Sequence, residues 1–427
     1  MRWVVAIVLA LGAGRASANP FEVLGLTSRH AGQASAAAAS VDDAAALYYN
    51  PAGLVATPGI EVSIGTIGAY SHLQGTGKLA DPAGAQLAMK APLPLRGSFA
   101  NRIVVGVALH VLPGDVAHII APRPDEPYDP YYGDRMSRIV ILPGAAVRFG
   151  RLAVGVSFDV LAGFGGTLEA SEGATRAIDA RADQRIPTVA RVIAGATWQL
   201  TPSVRLGAVF HQRFELPFAT TTKTLVAGEP IDLDIKASGL FTPHQLVLGG
   251  AWTRGKHVIS FDARYSRWSG YPGPYVRVDS RLPIVGDVPA LEPRVPFDDT
   301  LGGRLGIESR IGRHWFARGG YGFETSPVPA RQTGVTNLLD GPRHTLAVGA
   351  GRAWGRARLD AHVQLQLVQH RTLDKELFDG KGAYDPFTSL RDEDLDTPEV
   401  QITNPGFPGI TGGGQVVSGG VTLEVGL

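Results

Sequence analysis

From Ile60 to the last residue, apolar and polar side chains alternate with a period of two, and few folds can use that pattern over so long a stretch. Between Leu359 and Leu367, the residues Leu359, Ala361, Val363, Leu365 and Leu367 fall on one face of an extended chain, and Asp360, His362, Gln364 and Gln366 on the other. Val421, Leu423, Val425 and Leu427 alternate in the same way with Thr422, Glu424 and Gly426, and Val62, Ile64 and Tyr70 oppose Glu61, Ser63 and Gly65. Successive side chains of a strand point to opposite faces, so each segment reads as a strand with one greasy and one wet side.

A soluble sandwich would alternate too, so connection lengths decide between the two architectures. Strands are expected near 60 to 72, 92 to 101, 102 to 112, 135 to 149, 151 to 164, 187 to 200, 203 to 214, 240 to 253, 257 to 268, 300 to 311, 314 to 325, 342 to 354, 357 to 370 and 415 to 427. Tight turns fall at Asn101-Arg102, Gly150-Arg151, Thr201-Pro202, Gly255-Lys256, Gly312-Arg313 and Gly355-Arg356, and long connections separate them. Strict alternation of short turns with long loops is the mark of an outer-membrane barrel, with short turns in the periplasm and long loops outside. The expected outer loops run from Pro113 to Asp134, Gly165 to Arg185, Tyr271 to Asp298 and Arg371 to Gly414, and carry much of the Pro and acidic content. The fold class is therefore all-β: an antiparallel transmembrane β-barrel of about fourteen strands.

Composition narrows the function. The formal net charge of +1 and the dispersed basic residues exclude the phosphate-neutralising excess of a nucleic-acid binder. No apolar run after the first 20 residues is long enough for a membrane-spanning helix. Cys is absent, so neither disulfides nor thiolate metal sites are available. At the N-terminus Arg2, an apolar run from Trp3 to Leu11 and the small-x-small site Ala16-Ser17-Ala18 predict a cleaved signal peptide over residues 1–18, with the mature chain beginning at Asn19. Residues 19–58 precede the first strand. Within them the Ala-rich stretch Ala31 to Tyr49 predicts a short helix, with Asp42 and Asp43 behind a Ser40 cap and a stop at Pro51. Too weakly amphipathic to stand alone, this segment suits a small helical plug in the lumen of a barrel formed by residues 59–427.

The plug segment carries Gly25-Leu26, Ala31-Gly32, Asp42, Asp43 and Ala44, then Asn50-Pro51-Ala52-Gly53-Leu54 immediately before the first strand. Alone, Asn50, Pro51, Ala52 and Gly53 would make an ordinary helix stop and turn. Farther on come Val105-Gly106-Val107 with Pro113-Gly114, then Asp262, Tyr265 and Trp268, then Arg318-Gly319-Gly320-Tyr321 with Ser326-Pro327-Val328-Pro329. In this order the motifs resemble the FadL family of long-chain fatty acid and hydrocarbon transporters, whose N-terminal hatch ends in an Asn-Pro-Ala-Gly-Leu run. The resemblance implies an outer-membrane channel of a Gram-negative bacterium for passive uptake of hydrophobic molecules, long-chain fatty acids first among them. It also implies contact with outer-membrane lipid, no cofactor and no catalytic residues. It places the ligand pocket at the apolar residues of the mature N-terminus, Phe21, Val23, Leu24 and Leu26. Leu112, Val116, Ile119, Ile120 and Tyr131-Tyr132 would supply the greasy surface of the outer loops.

Asp262, Arg318 and Glu324 are polar candidates of the lumen, either paired with one another as the lining of any barrel or touching ligand. The run Asp392-Glu393-Asp394 with Asp396 could hold a divalent cation or be a solvated loop. The histidines show no His-Glu-x-x-His spacing, and Gly412-Gly413-Gly414 lacks the Lys and Ser or Thr of a phosphate loop and reads as flexible loop. The other function open to such a chain is a barrel with a structural or surface-binding role and no transport.

Overall fold

Fourteen strands close on themselves in the computed structural model of the chain. The structure describes residues 20–75, 83–100, 102–111, 127–132, 139–162, 165–172, 178–185, 188–226, 229–274, 277–282, 286–288, 295–332, 336–375 and 408–427. In chain order the barrel strands are β1 Glu61–Gln74, β2 Ala83–Pro92, β3 Ile103–Val111, β4 Val140–Phe149, β5 Leu152–Ala162, β6 Thr188–Thr201 and β7 Val204–His211. The second half comprises β8 His244–Arg254, β9 His257–Arg267, β10 Thr300–Ile311, β11 Trp315–Glu324, β12 Arg343–Trp354, β13 Ala357–Lys375 and β14 Gly409–Gly426. Each pairs antiparallel with its sequence neighbours, and β1 pairs with β14 to close the ring, Glu61 opposite Gly426 and Thr66 opposite Val421. Full closure leaves the barrel no unpaired edge.

The alternation read in the sequence has the sense expected of a barrel in lipid. On β13, Leu359, Val363 and Leu367 are exposed to 41%, 54% and 37%, while Asp360, His362, Gln364 and Gln366 are buried. Leu305, Ile307, Leu346, Val348 and Val421 extend the same outward apolar surface around the wall. A soluble protein would not leave so many large apolar side chains in one band, whereas a barrel in the outer membrane requires it. No helix among the described residues is long and apolar enough to cross a membrane.

Three expectations need correction. The second strand is Ala83–Pro92, not 92 to 101. Pro92 and Pro94 flank the stop, and the chain then makes a 3-10 turn at Gly97–Phe99, where Gly97 has φ 68°. A proline offers no N–H to a ladder, so the run beyond Pro92 became a short-side connection. Parts of the expected outer loops are ordered instead as a second, six-stranded sheet, which includes Gly165–Glu172, Ile178–Arg185, Phe214–Val226 and Glu229–Thr242. Gly412, Gly413 and Gly414 lie in β14 rather than in a flexible loop. There Gly413 and Gly414 adopt φ 147° and 142°, beside the register shift between Val368 and Arg371 of β13. Residues 1–19, most of the Pro113 to Asp134 loop and the acidic run at 392–396 lie outside the described residues.

The expected helix over Ala31 to Tyr49 is absent. Four-residue helices occur at Pro20–Val23, Ser28–Ala31 and Ala46–Tyr49, a 3-10 turn at Pro51–Val55, and tight turns join them. Ser40 caps nothing and its Oγ bonds back to the Ala36 carbonyl, whereas Asp43 accepts the Ala45 amide at 3.0 Å. Alanine prefers a helix, but propensity is a weak prior that tertiary contact overrides, and here the contact is with the barrel wall. Glycines that face inward and pair across neighbouring strands, Gly155 with Gly195, Gly207 with Gly249 and Gly306 with Gly320, meet the segment, Gly195 at the Asn50 side chain and the others at or beside its backbone. A Cβ at Gly155 would lie 2.6 Å from the Ala52 nitrogen, and one at Gly320 would lie 2.5 Å from the Ala34 nitrogen. The segment is thus seated largely backbone against wall inside the barrel, with no room for a wall side chain at these glycines.

Candidate functional site

Polar groups of the wall hold the N-terminal segment where it cannot satisfy itself. With no long helix, many of its N–H groups need external acceptors. Asp262 accepts the amides of Ala37 and Ala38 at 2.8 and 3.0 Å, Glu61 that of Ala44 at 2.8 Å, and Thr422 that of Ser28 at 2.9 Å. Near the short-turn end a chain of buried ions follows: Arg29 reaches Asp42, Asp43 and Glu308, Arg318 bonds Glu308 at 2.6 Å and Asp360 at 2.8 Å, and Arg358 bonds Asp360 and Glu424. Burial alone would raise the Asp43 carboxyl, but His30, Arg29 and Arg358 around it hold it well below the usual carboxylate range.

The three polar lumen candidates therefore do not form one group. Asp262 holds the segment's backbone and Arg318 belongs to the ion chain. Glu324 faces a separate small cavity of about 20 Å³, lined also by Glu22, Val23, Tyr131, Arg264 and Arg304, which has room for about one water. The Asp262, Tyr265 and Trp268 spacing also divides. Asp262 points inward, Tyr265 outward to bond Asp299, and Trp268 lies buried beyond the strand end.

Asn50, Pro51, Ala52 and Gly53 form a built turn. The Asn50 side chain accepts from the Ala52 amide at 3.1 Å and donates to the carbonyls of Ala38 and Ala196 at 2.6 and 3.1 Å. Pro51 opens the 3-10 turn, where its missing N–H costs nothing. A Cβ at Gly53 would sit 2.6 Å from the Val41 carbonyl oxygen.

Phe21, Val23, Leu24 and Leu26 are all at most 3% exposed, yet they divide between two apolar clusters. Phe21 packs on Tyr48 and His110, with centroids 5.5 and 5.4 Å away, and with Leu26 it belongs to the cluster beneath. Val23 and Leu24 belong to a second cluster at the long-loop end, with Tyr128, Tyr131, Tyr132, Phe241, Trp268 and Tyr271 among its members. Phe241 stacks on Tyr271 at 4.6 Å, and Phe297 lies tilted against Tyr271 at 4.8 Å. Only the Tyr131-Tyr132 pair and Trp268 of this aromatic layer stood out in the sequence. Phe241, Tyr271 and Phe297 lie just beyond the ends of barrel strands, a position that marks them as lumen-mouth residues once the strand bounds are known.

Outer loop and N-terminal segment are joined through one strand residue. Tyr132 Oη donates to Gln366 Oε1 at 2.7 Å, and Gln366 Nε2 donates to the Val23 carbonyl, which also accepts from Gln364. Asp129 fastens the loop by accepting the amides of Tyr131 and Tyr132 at 2.8 and 3.0 Å. Burial, and next the neighbouring Asp340 carboxylate, push the Asp129 carboxyl up to about 8. Arg343 bonds Asp340 at 2.8 Å, with its guanidinium 3.3 Å above the Tyr131 ring centre.

Together these features define a fourteen-stranded outer-membrane barrel whose lumen is filled by its own N-terminal segment beneath an aromatic mouth. Its fold is that of the FadL-type hydrocarbon channels. Among solved structures, the CymD monoaromatic hydrocarbon channel covers 95% of this chain and 99% of its own at TM-score 0.59 and 17% identity. The toluene transporter TodX of P. putida covers 95% and 99% at TM-score 0.58 and 15% identity. A Pseudomonas aeruginosa FadL homologue covers 96% and 99% at TM-score 0.55 and 12% identity. In sequence, alkane uptake protein A of Marinobacter nauticus is 31% identical over 94 residues, 20% of this chain and 21% of that protein. The match therefore spans about a fifth of the curated relative's length. No protein-family model matches the chain.

Proposed function

We propose that the chain is a passive outer-membrane channel for small hydrophobic molecules, with residues 19–58 as its hatch and residues 59–427 as the barrel. The observation that carries this reading is the aromatic layer at the outer mouth, seated directly on Val23 and Leu24. A water-filled pore would line its entrance with polar groups, whereas aromatic walls give a hydrocarbon a place to leave water. Val23 and Leu24 are then the first hatch residues a solute meets, with Phe21 and Leu26 beneath them.

Uncharged hydrocarbons fit this mouth better than long-chain fatty acids. A fatty acid needs a partner for its carboxylate; three cations bordering the layer are taken by protein oxygens, and Arg264 and Arg304 beneath it share their cavity with the carboxylates of Glu22 and Glu324. Arg343 is held by Asp340, Arg371 by the Val328 carbonyl and Lys375 by the Thr336 carbonyl. The solutes named for the similar proteins, toluene, monoaromatic hydrocarbon and alkane among them, support the same class. The test is uptake of labelled toluene and labelled oleate by Gram-negative cells with an intact lipopolysaccharide layer, with and without the chain. Toluene uptake should rise, and excess oleate should leave it unchanged. Failure of both solutes to respond would favour a structural or surface-binding barrel, and competition by oleate would restore the fatty acid as ligand.

A further inference from the structure

The near-neutral charge of the whole chain conceals a strong polarity at the short-turn rim. No Asp or Glu occurs in any connection there: 56–60, 93–102, 150–151, 202–203, 255–256, 312–314 and 355–356 contain none. Basic residues occupy five of the seven, and Arg102, Arg151, Lys256, Arg313 and Arg356 are exposed. Among the described residues none of these five takes part in an ion pair. The acids of this end, Glu61, Glu308, Asp360 and Glu424, point inward and are consumed by the hatch and its ion chain. Charges facing out at this level are thus of one sign.

The same rim carries the chain's outward tryptophans. Trp198, Trp252, Trp315 and Trp354 are 42 to 52% exposed, each within a few residues of a short turn. Tryptophan gathers at the level of lipid headgroups, where one end of the ring is wet and the other greasy. Two further arginines stand on these rings: Arg254 lies 5.6 Å from the Trp252 ring centre and Arg352 lies 5.2 Å from that of Trp315. Their charge is therefore held at the headgroup level rather than extended into the periplasm.

We propose that this rim is a binding surface for anionic phospholipid, its arginines and Lys256 receiving the phosphates of the periplasmic leaflet while the tryptophans bury among the upper acyl carbons. Guanidinium groups suit the phosphate oxygens, which accept two parallel N–H bonds. A soluble acidic partner would need the charges to project beyond the membrane, but ring stacking keeps Arg254 and Arg352 beside the apolar wall, and Arg151, Lys256, Arg313 and Arg356 sit in turns of only a few residues. The surface is independent of the solute that crosses the lumen.

The tryptophans supply the readout. Full-length protein is reconstituted into phosphatidylcholine vesicles with increasing fractions of brominated phosphatidylglycerol, or of brominated phosphatidylcholine, and Trp fluorescence is recorded. Trp268, buried inside, remains as unquenched background. The anionic lipid should quench at lower mole fraction, with a binding constant relative to phosphatidylcholine on the order of threefold at low salt. That ratio should approach one in about 1 M salt, where screening acts over roughly 3 Å. It should also fall in the combined variant Arg151→Gln, Lys256→Gln, Arg313→Gln, Arg356→Gln, checked for folding by its heat-dependent gel mobility. A ratio of one at low salt would overturn the proposal in favour of a soluble acidic partner. Preference that survives in the folded variant would overturn it by placing the lipid elsewhere. Should the variant not fold, the salt titration of the natural protein decides alone.

Discussion

A single hydrogen atom is all that Gly320 can offer the N-terminal segment. Gly320→Ala would drive its methyl group against Gln33 and Ala34, and overpacking of this kind costs about 1 to 3 kcal/mol. The expected result is a lower denaturant midpoint in detergent, while Gly250→Ala, whose Cβ would meet nothing within 4 Å, leaves the midpoint unchanged. Equal effects would refute the close approach. Asp129 offers a second test at this scale. Its carboxyl is raised in the folded loop to about 8, so the folded form holds a proton that the unfolded form has released. Stability of the docked Tyr128 to Tyr132 segment is then greatest at low pH. It declines as pH rises from the ordinary carboxylate value, about 4, to about 8. Hydrogen exchange at the Tyr131 and Tyr132 amides should quicken over that window, and Asp129→Asn should flatten the profile. The Tyr131-Tyr132 pair was visible in the sequence as loop grease. The role of Asp129 was not, since it depends on Asp340, more than 200 residues away in the chain.

At the scale of elements, the N-terminal segment is held by backbone contact with the wall and by ions, and only the ionic part can be removed without touching the barrel's shape. Arg29→Ala leaves Asp42, Asp43 and Glu308 short of their common partner, Arg29 itself being buried at 13% side-chain exposure. Loss of one member of a buried ion network costs about 3 to 5 kcal/mol, and here the loss falls on hatch seating. Limited proteolysis should cut within residues 20–56 of the variant while the barrel stays intact, and a resistant hatch would remove the ion chain from this role. The segment before the first strand, with its Asn50-Pro51 run, already stood apart from the strands in the sequence. Its conformation was not legible there. Alanine content argues for helix, and only the glycine wall, assembled from strands far apart in sequence, explains why the segment is a string of tight turns. The same remoteness hid Asp262, whose pairing with the Ala37 and Ala38 amides no local spacing announces.

For the molecule as a whole, the outward face must suit lipid. Val363, 54% exposed well above the short-turn rim, should cost about 2 to 4 kcal/mol when replaced by Arg, and Leu427 at the rim no more than about 1. Reversible folding into vesicles measures both, and equal costs would contradict the assigned depth. This architecture was the most legible property of the chain. A period of two, short turns alternating with long loops and inward Asp360, His362, Gln364 and Gln366 suffice to define a closed barrel. The strand Ala83–Pro92 escaped notice because Ala85, Leu87 and Met89 alternate against Gly84, Ala88 and Lys90 with little contrast. The upper sheet escaped because its strands lie among residues that read as polar connection.

The glycine-lined seat has a practical corollary. Where plug and wall meet main chain to main chain, the fit specifies a path in space and is indifferent to most of the chemistry displayed at the plug's upper end. Val23 and Leu24 could then be exchanged, bulky for small, without recasting the mould that receives residues 32–52, to which Phe21 and Leu26 belong through Tyr48 and its cluster. Solute preference and scaffold would be separable, with these neighbouring side chains as the interchangeable part.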